Sequence, residues 1–169
     1  MLGSPITLRP LRPEDYEIEH AFVSALSSET RHSRLLGGAR AITREYIEEL
    51  TRVDYRRDMA LAAVLMIGAK ETLIGVARYV REKEGDAAEF AIVIADAWQA
   101  RGIGRRMMEK LIDVARQLGV GTMYGDVLSI NVHMLTLLRR LGFTFSRHPE
   151  DATVTRATLP LRKDQAARN

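Results

Sequence analysis

The sequence has no cysteine among its 169 residues. Without thiols the chain cannot form disulfides, attack a substrate through a thiolate, or hold zinc through sulfur. It also lacks any apolar run near the roughly 20 residues that a membrane-spanning helix needs. Its first residues do not show the basic-then-apolar order of a secretory signal peptide. These absences predict a soluble, cytoplasmic protein without disulfide support.

Neither sign of charge dominates the chain. Lysine and arginine total 25 and the acidic residues 22, which gives a net charge of +3. This weak excess is scattered and can help to recruit an anionic ligand, but it does not indicate nucleic acid or a membrane surface as a partner. The 4 histidines are dispersed without paired ligand spacing, so no metal site is expected. With 46 % apolar residues, we expect a single domain over residues 1–162 and a polar tail over 163–169.

The pattern of apolar residues divides the chain into two parts. The first part predicts a short strand at residues 6–9, a helix that Pro13 opens and that runs to about Leu26, and a second helix capped by Thr43. The second part begins with three strand-like segments joined by short connections, at residues 59–67, 73–81 and 89–94. Short connections predict an antiparallel meander, and Gly75 within it suggests a bulge or close packing.

A strongly periodic helix follows the meander, from Ile103 to Gly119. The next strand, at residues 122–128, is predicted to run parallel to residues 89–94, because a strand–helix–strand crossover has that geometry. A helix from Asn131 to Arg140 and two closing strands, at 143–145 and 153–161, complete the pattern. The predicted fold class is α/β (α+β).

The clearest chemical signal is the glycine turn between the third strand of the meander and the long helix. Gly102 and Gly104 lie two residues apart, with Gln99 before them and Arg101 and Arg105 beside them. Glycines let bare backbone N–H groups approach a phosphate, and the first turn of the helix adds unpaired donors and its positive dipole end. The turn therefore predicts a binding site for a phosphorylated cofactor.

The order of these elements, together with the turn Gln99-x-x-Gly102-x-Gly104, resembles the GNAT superfamily of N-acetyltransferases. The resemblance extends from about Ile6 to Leu161 and includes Asn131 and the sequence Leu141-Gly142-Phe143 around the later helix. It implies a central mixed, mostly antiparallel sheet with helices on both faces. Within that sheet the parallel strand pair is expected to splay apart.

The resemblance further implies acetyl-CoA as cosubstrate. Its pyrophosphate would lie on backbone N–H groups of the turn, from Ala100 through Arg101, Gly102, Ile103 and Gly104 to Arg105. Its pantetheine arm would pair like an extra strand with the backbone of Ile92, Val93 and Ile94. Asn131 would bond the same arm, although a helix cap explains this residue equally well.

A narrower likeness is to the bacterial protein-lysine acetyltransferases called Pat. It lies in Val53-Asp54-Tyr55-Arg56-Arg57 and in Ala88-Glu89-Phe90-Ala91, where Glu89 stands ten residues before Gln99. Those enzymes acetylate a lysine of acyl-CoA synthetases, and a glutamate at the position of Glu89 acts as general base. The resemblance thus makes an acetyl transfer to a primary amine, such as a protein lysine, the predicted reaction.

Acetyl transfer to an amine needs a proton acceptor, because a free lysine amine has a pKa near 10.4 and is almost wholly protonated at neutral pH. Glu89 is the first candidate, since it starts the strand whose other end holds the phosphate turn. Asp126 is the second candidate, with a substrate-binding or structural role as its alternative. Many GNAT enzymes use a tyrosine as general acid where this chain has Leu138, and nothing in the sequence supports Tyr124 as a substitute.

Several alternatives stay open at this point. A non-enzymatic acyl-CoA-binding module would keep the phosphate turn and need no base. A dinucleotide oxidoreductase is disfavoured, because Met107 stands where its fingerprint has a small residue. A protein lysine, an antibiotic amine, a polyamine and an amino acid all remain possible acceptors, and the oligomeric state is not readable. Residues 28–41 and the loop after Phe145 are expected to flank the acceptor cleft.

Overall fold

The computed structural model describes residues 5–30 and 41–162 of the chain. The strands of these residues form one sheet in the order β1-β2-β3-β4-β5-β7-β6, and only the β4–β5 pair is parallel. The strands are β1 (Thr7–Pro10), β2 (Met59–Ile67), β3 (Lys70–Arg81), β4 (Ala87–Ile94), β5 (Thr122–Leu128), β6 (Thr144–Arg147) and β7 (Val154–Pro160). The predicted fold class is confirmed. The proposed tail at 163–169 lies outside the described residues, and so does most of the 28–41 segment.

The helices agree with the predicted order. They include α1 (Tyr16–Ala25), α2 (Arg44–Thr51), α3 (Ile103–Gln117) and α4 (Val132–Arg140), and residues 28–30 are also helical. Thr43 caps α2, because its hydroxyl accepts the N–H of Tyr46 at 3.1 Å. In the described part of the chain no helix is both long and apolar enough to cross a membrane, and the cytoplasmic location stays a prediction.

Two predicted boundaries were wrong by three residues. Pro13 opens a single 3-10 turn, and the α-helix begins only at Tyr16. β3 begins at Lys70 rather than at residue 73, because Gly68, with φ of 62°, makes a two-residue hairpin turn that pairs Ile67 directly with Lys70. The first residues of β3 are polar and show no apolar alternation, so no local pattern predicts a strand there.

The prediction for Gly75 is confirmed. The β2–β3 register shifts beside it, since Ala63 pairs with Gly75 and Val64 already pairs with Leu73. A Cβ on Gly75 would lie 2.8 Å from Cδ1 of Ile94. The bulge therefore sits where α3 and the end of β4 pack closely against the sheet.

The two faces of the sheet are covered differently. One face packs against α3 and α4 through a core that includes Met107, Leu111 and Leu138. The other face packs against α1 and α2, and the buried strand residues of that cluster come from β2, β3 and β4. On this second face β5 and β7 present polar side chains, because Met123 and Val127 of β5 belong to the first core and their neighbours alternate to the other side. This polar half of the sheet thus includes β5, one strand of the parallel pair.

Candidate active site

The parallel strands β4 and β5 separate shortly after they meet. They pair over three positions only, and the last of these joins Glu89 to Tyr124. β4 then runs on to Ile94 and β5 to Leu128 without pairing to each other. The divergence leaves a wedge-shaped opening, which we call the wedge, between residues 90–94 of β4 and 125–128 of β5. The splayed pair predicted from the sequence is therefore present.

Hydrogen bonding to β3 determines which backbone groups of β4 face the wedge. The N–H of Ala95 donates to the carbonyl of Ile74 at 2.8 Å, and antiparallel pairs alternate from this point. Val93 accordingly directs its N–H and C=O to β3, whereas Ile92 and Ile94 direct theirs to the wedge. The carbonyl of Ile94 accepts the side-chain amide of Gln99 at 3.0 Å. Ile92 and the N–H of Ile94 are thus placed to pair with an extended ligand.

The glycine turn after β4 has the backbone geometry of an anion site. Ala100 has φ of 60° and Gly102 has φ of 81°, so two left-handed residues enclose Arg101. Such alternation turns successive N–H groups toward a common point, and a left-handed alanine is strained in a way that is common at ligand sites. The first intrahelical bond of α3 runs from Arg106 to Gly102 at 3.3 Å. The N–H groups of residues 103–105 lie ahead of it and point out of the helix end.

The side chains of the two predicted arginines leave the backbone of this turn open. The guanidinium of Arg101 lies over the Trp98 ring, 5.0 Å from its centroid. Arg105 pairs with Glu109 at 2.9 Å on the exposed side of α3. Both cations remain close enough to the turn to attract an anion without filling it.

Gly104 lies at the start of α3, where that helix meets β4 and α4. A Cβ at this position would lie 3.4 Å from Cδ2 of Leu137 and 3.9 Å from side-chain atoms of Ile92 and Ile94. These are ordinary van der Waals distances, so a single methyl group fits here, whereas a branched side chain would crowd the side chains of β4 and α4.

Asn131 lies at the start of α4. Its side-chain oxygen accepts the N–H of Met134 at 3.2 Å, so it is a helix cap. The amide nitrogen of the same side chain points away from that bond and can donate to a ligand. The cap is confirmed, and the cofactor contact stays a prediction.

Glu89 lies at the point where the wedge begins, on the polar half of the sheet. Its side chain is accessible to solvent, yet neighbouring atoms displace part of its hydration. This partial burial raises the pKa of Glu89, and the negative charges of Asp126 and Glu82 add to the effect, while Arg156 opposes it. Glu89 is thus a carboxylate whose affinity for a proton is higher than usual.

Asp126 lies on the same face, but it is held by a cation. Arg156 donates to both of its oxygens, at 2.9 and 3.2 Å, and Nε2 of His148 lies 3.7 Å away. Its side chain is 15 % exposed. Sequence reasoning missed Arg156 and His148, because only the β5–β7 register brings them to Asp126.

Two further side chains bear on proton transfer. The Tyr124 hydroxyl donates to Glu82 at 2.5 Å, and burial together with this bond raises the pKa of Tyr124 to about 12. Leu138, at the position where many relatives carry a tyrosine that acts as general acid, is fully buried in the first core.

Among residues 5–30 and 41–162 no group of three or more histidine and acidic side chains could hold a metal ion.

The fold and the wedge together define an acyl-CoA-using transferase, and comparison with known proteins identifies its family. Residues 6–144 match a family model described as an acetyltransferase (GNAT) domain. The chain therefore belongs to the GNAT acetyltransferase family and is an acetyl-CoA-dependent N-acyltransferase. The alternatives of a non-enzymatic binding module and of an oxidoreductase are not supported.

Individual relatives agree with this assignment. The chain is 36 % identical over 151 residues to an acetyltransferase of Pseudomonas aeruginosa, covering 89 % of this chain and 81 % of the relative. It is 34 % identical over 159 residues to the acetyltransferase Pat of Mycolicibacterium smegmatis, covering 94 % of this chain and 47 % of Pat. This chain thus spans about half the length of that relative. The crystal structure of the GNAT domain of S. lividans PAT superposes with a TM-score of 0.79 at 27 % identity, covering 90 % of this chain and 89 % of that domain. The predicted likeness to Pat is confirmed.

Proposed function

We propose that this enzyme transfers the acetyl group of acetyl-CoA to a primary amine, with a protein lysine as the first candidate, and that Glu89 is the general base. The observation that carries the base assignment is the position of Glu89 at the point where β4 and β5 diverge. An extended arm bound along the wedge ends at that point. Glu89 is then beside the carbonyl that the amine attacks.

The two candidate carboxylates are not equivalent. Asp126 is committed to Arg156 through two hydrogen bonds, which hold its carboxylate in place and occupy both of its oxygens. The pKa of Glu89 is raised, and a carboxylate with this property is the better acceptor for the proton of an ammonium group. We therefore assign proton uptake to Glu89 and a positioning role to Asp126.

The remaining residues of the site bind and orient. Backbone N–H groups of residues 100–105 would hold the pyrophosphate, and Ile92 and Ile94 would align the pantetheine arm from one side of the wedge. Acetyl-CoA supplies the activated acyl group when it is bound. The N–H of a wedge-facing residue of β4 is placed to polarise the thioester carbonyl, which promotes attack by the neutral amine.

The polar half of the sheet supports an acceptor that belongs to a larger molecule. No helix of the described residues packs over Tyr124, Asp126 and Arg156, and Glu89 itself is exposed. A lysine side chain is long enough to reach such an exposed group while its own protein stays outside. The likeness to Pat favours the same acceptor class.

The test is an acetyl-transfer assay that compares an acyl-CoA synthetase of the same cell with spermidine, free amino acids and an aminoglycoside. We expect acetylation of a synthetase lysine, and a fall of 10²-fold or more in turnover for Glu89→Gln, which is the lower end of what a positioned base contributes. CoA affinity, measured by calorimetry, should stay close to that of the wild type. Faster transfer to a small amine would refute the proposed acceptor, and wild-type turnover in Glu89→Gln would refute the proposed base.

A further inference from the structure

The residue that follows the end of β4 by two positions makes contacts far away in the sequence. Asp96 begins a 3-10 turn, Asp96–Trp98, that leads into the glycine turn. Its Oδ2 accepts the backbone N–H of Ser27 at 2.8 Å, and its Oδ1 accepts the hydroxyl of Thr30 at 2.5 Å. Ser27 follows Leu26, the C-cap of α1, and its hydroxyl accepts the N–H of Thr30, which lies in a helical segment that begins at residue 28. One carboxylate therefore joins the start of this next helical segment to the segment that carries the phosphate-binding amides.

Gln99 extends this connection into the wedge. Its amide nitrogen lies 3.0 Å from the carbonyl of Ile94, 3.3 Å from Oδ1 of Asp96 and 3.4 Å from the hydroxyl of Thr30. An amide nitrogen has two hydrogens, so it cannot serve all three acceptors fully. The carbonyl of Ile94 is the nearest of the three. Gln99 thus connects the end of β4 to the Asp96 contacts, and its amide hydrogens are occupied by these protein acceptors.

The same contacts are the ones that would hold the strained turn in shape. Ala100 is kept at φ of 60°, a conformation that a non-glycine residue holds only when its surroundings impose it. The segment before it is anchored by a charge-assisted bond from a backbone N–H and by a short bond from a hydroxyl. The hydroxyl of Thr30 and the N–H of Ser27 hold the pKa of Asp96 below its usual range, as expected for a carboxylate that is used as an ionised acceptor.

We infer that Asp96 is a positioning residue for acetyl-CoA binding, which acts by tying Ser27 and Thr30, at the start of the helical segment after α1, to the phosphate-binding turn. Occupation of the turn and order at residues 27–30 are then coupled. This inference rests on the proposed placement of the pyrophosphate at residues 100–105. It assigns to Asp96 no contact with the cofactor and no part in proton transfer.

The test measures CoA affinity and amide hydrogen exchange in the full chain. Asp96→Asn keeps the shape of the side chain but removes the charge, and Thr30→Val removes the hydroxyl. Each should weaken CoA binding by at least about fivefold, the lower end of typical coupling between two sites. The double variant should be little weaker than either single variant, since both remove the same contact. Asp113→Asn, an exposed aspartate on α3 with one 4.0 Å ion pair, is the matched control and should bind CoA normally.

Hydrogen exchange separates coupling from simple structural support. In the wild type, CoA should slow exchange of the amides of residues 27–30, and in Asp96→Asn this protection should be lost. A variant that melts at a lower temperature but binds CoA as the wild type does would overturn the inference. Protection that persists in Asp96→Asn would show direct contact between residues 27–30 and CoA, and would also overturn it. If Gly104→Val leaves CoA affinity unchanged, the proposed cofactor placement fails first, and this inference fails with it.

Discussion

Replacing Gly125 with alanine tests how tightly β5 packs against the Phe90 side chain of β4 at the start of the wedge. Gly125 lies on β5 one residue beyond the last β4–β5 pair, on the face that packs against α3 and α4. The ring of Phe90, from the diverging strand β4, lies against it. A Cβ at Gly125 would be 2.6 Å from Cε1 of that ring and 2.8 Å from Cδ1 and Cζ. These distances are shorter than any ordinary carbon contact, so the ring or the strand must move.

The ring has little room to move. Phe90 is 5 % exposed, and its ring packs edge-to-face on Phe143, 5.3 Å between centroids. Overpacking of a buried site costs about 1–3 kcal/mol. For a domain of this size, each kcal/mol lowers the melting temperature by roughly 2–4 °C. We therefore expect Gly125→Ala to melt about 2–12 °C below the wild type.

Thermal unfolding followed by circular dichroism measures this change. Gly121→Ala serves as a control, because its added Cβ would come even closer to a neighbouring atom. A Cβ at Gly121 would lie 2.2 Å from Oδ2 of Asp86. That carboxylate is half-exposed and can rotate away from an added methyl group. The rotation would break its exposed ion pair with Arg162, which is worth at most about 1 kcal/mol. We therefore predict the larger loss of stability for Gly125→Ala, although its contact is the longer of the two, because its neighbour is a buried ring.

A compensating substitution completes the test. Phe90→Leu in the Gly125→Ala background should recover part of the lost stability, whereas Phe90→Leu alone should destabilise by leaving a cavity. The reasoning is refuted if Gly125→Ala stays within about 0.5 kcal/mol of the wild type, the range of ordinary surface substitutions. It is equally refuted if Gly121→Ala is the more damaging change.

Three further predictions concern the site itself. Glu89→Gln should melt at the same or a higher temperature than the wild type at pH 7, because the raised pKa of Glu89 means that its ionised form opposes folding; a clearly lower melting temperature would contradict this. Asp126→Asn should move the acidic limb of the kcat/KM profile to lower pH, because it removes a charge that raises the pKa of Glu89 and it releases Arg156. Arg156→Gln should move that limb to higher pH, because it removes a charge that lowers the pKa of Glu89. Shifts in the same direction for both variants would exclude Glu89 as the titrating base. Ala100→Val should weaken CoA binding and lower the melting temperature, because a β-branched residue does not tolerate φ of 60°, and Ala100→Gly should do neither.

The order of elements and the cofactor turn could be predicted from the sequence, because both depend on local patterns. The period of the apolar residues defines α3, and Gly102 and Gly104 mark the turn ahead of it. The splay of β4 and β5 was an expectation from family resemblance alone, since no local pattern encodes where two strands separate. The pairing of Asp126 with Arg156 depends on β5–β7 register, and the Asp96 contacts join residues 66 and 69 positions apart. Such long-range contacts have no signature in a single sequence.

The choice between the two carboxylates is a consequence of strand order. β7 enters the sheet next to β5, and its register places Arg156 directly opposite Asp126. Glu89 has Val80 of β3 on one side and Tyr124 of β5 on the other, and neither neighbour carries a positive charge. The charge of Arg156 acts on Glu89 from β7, two strands away, but the hydrogen bonds of that guanidinium go to Asp126. Under our proposal, the substrate ammonium group is the cation that pairs with Glu89. The same insertion of β7 that pairs Asp126 with Arg156 thus favours our proposal that the carboxylate at the start of the wedge is the group that an incoming amine meets.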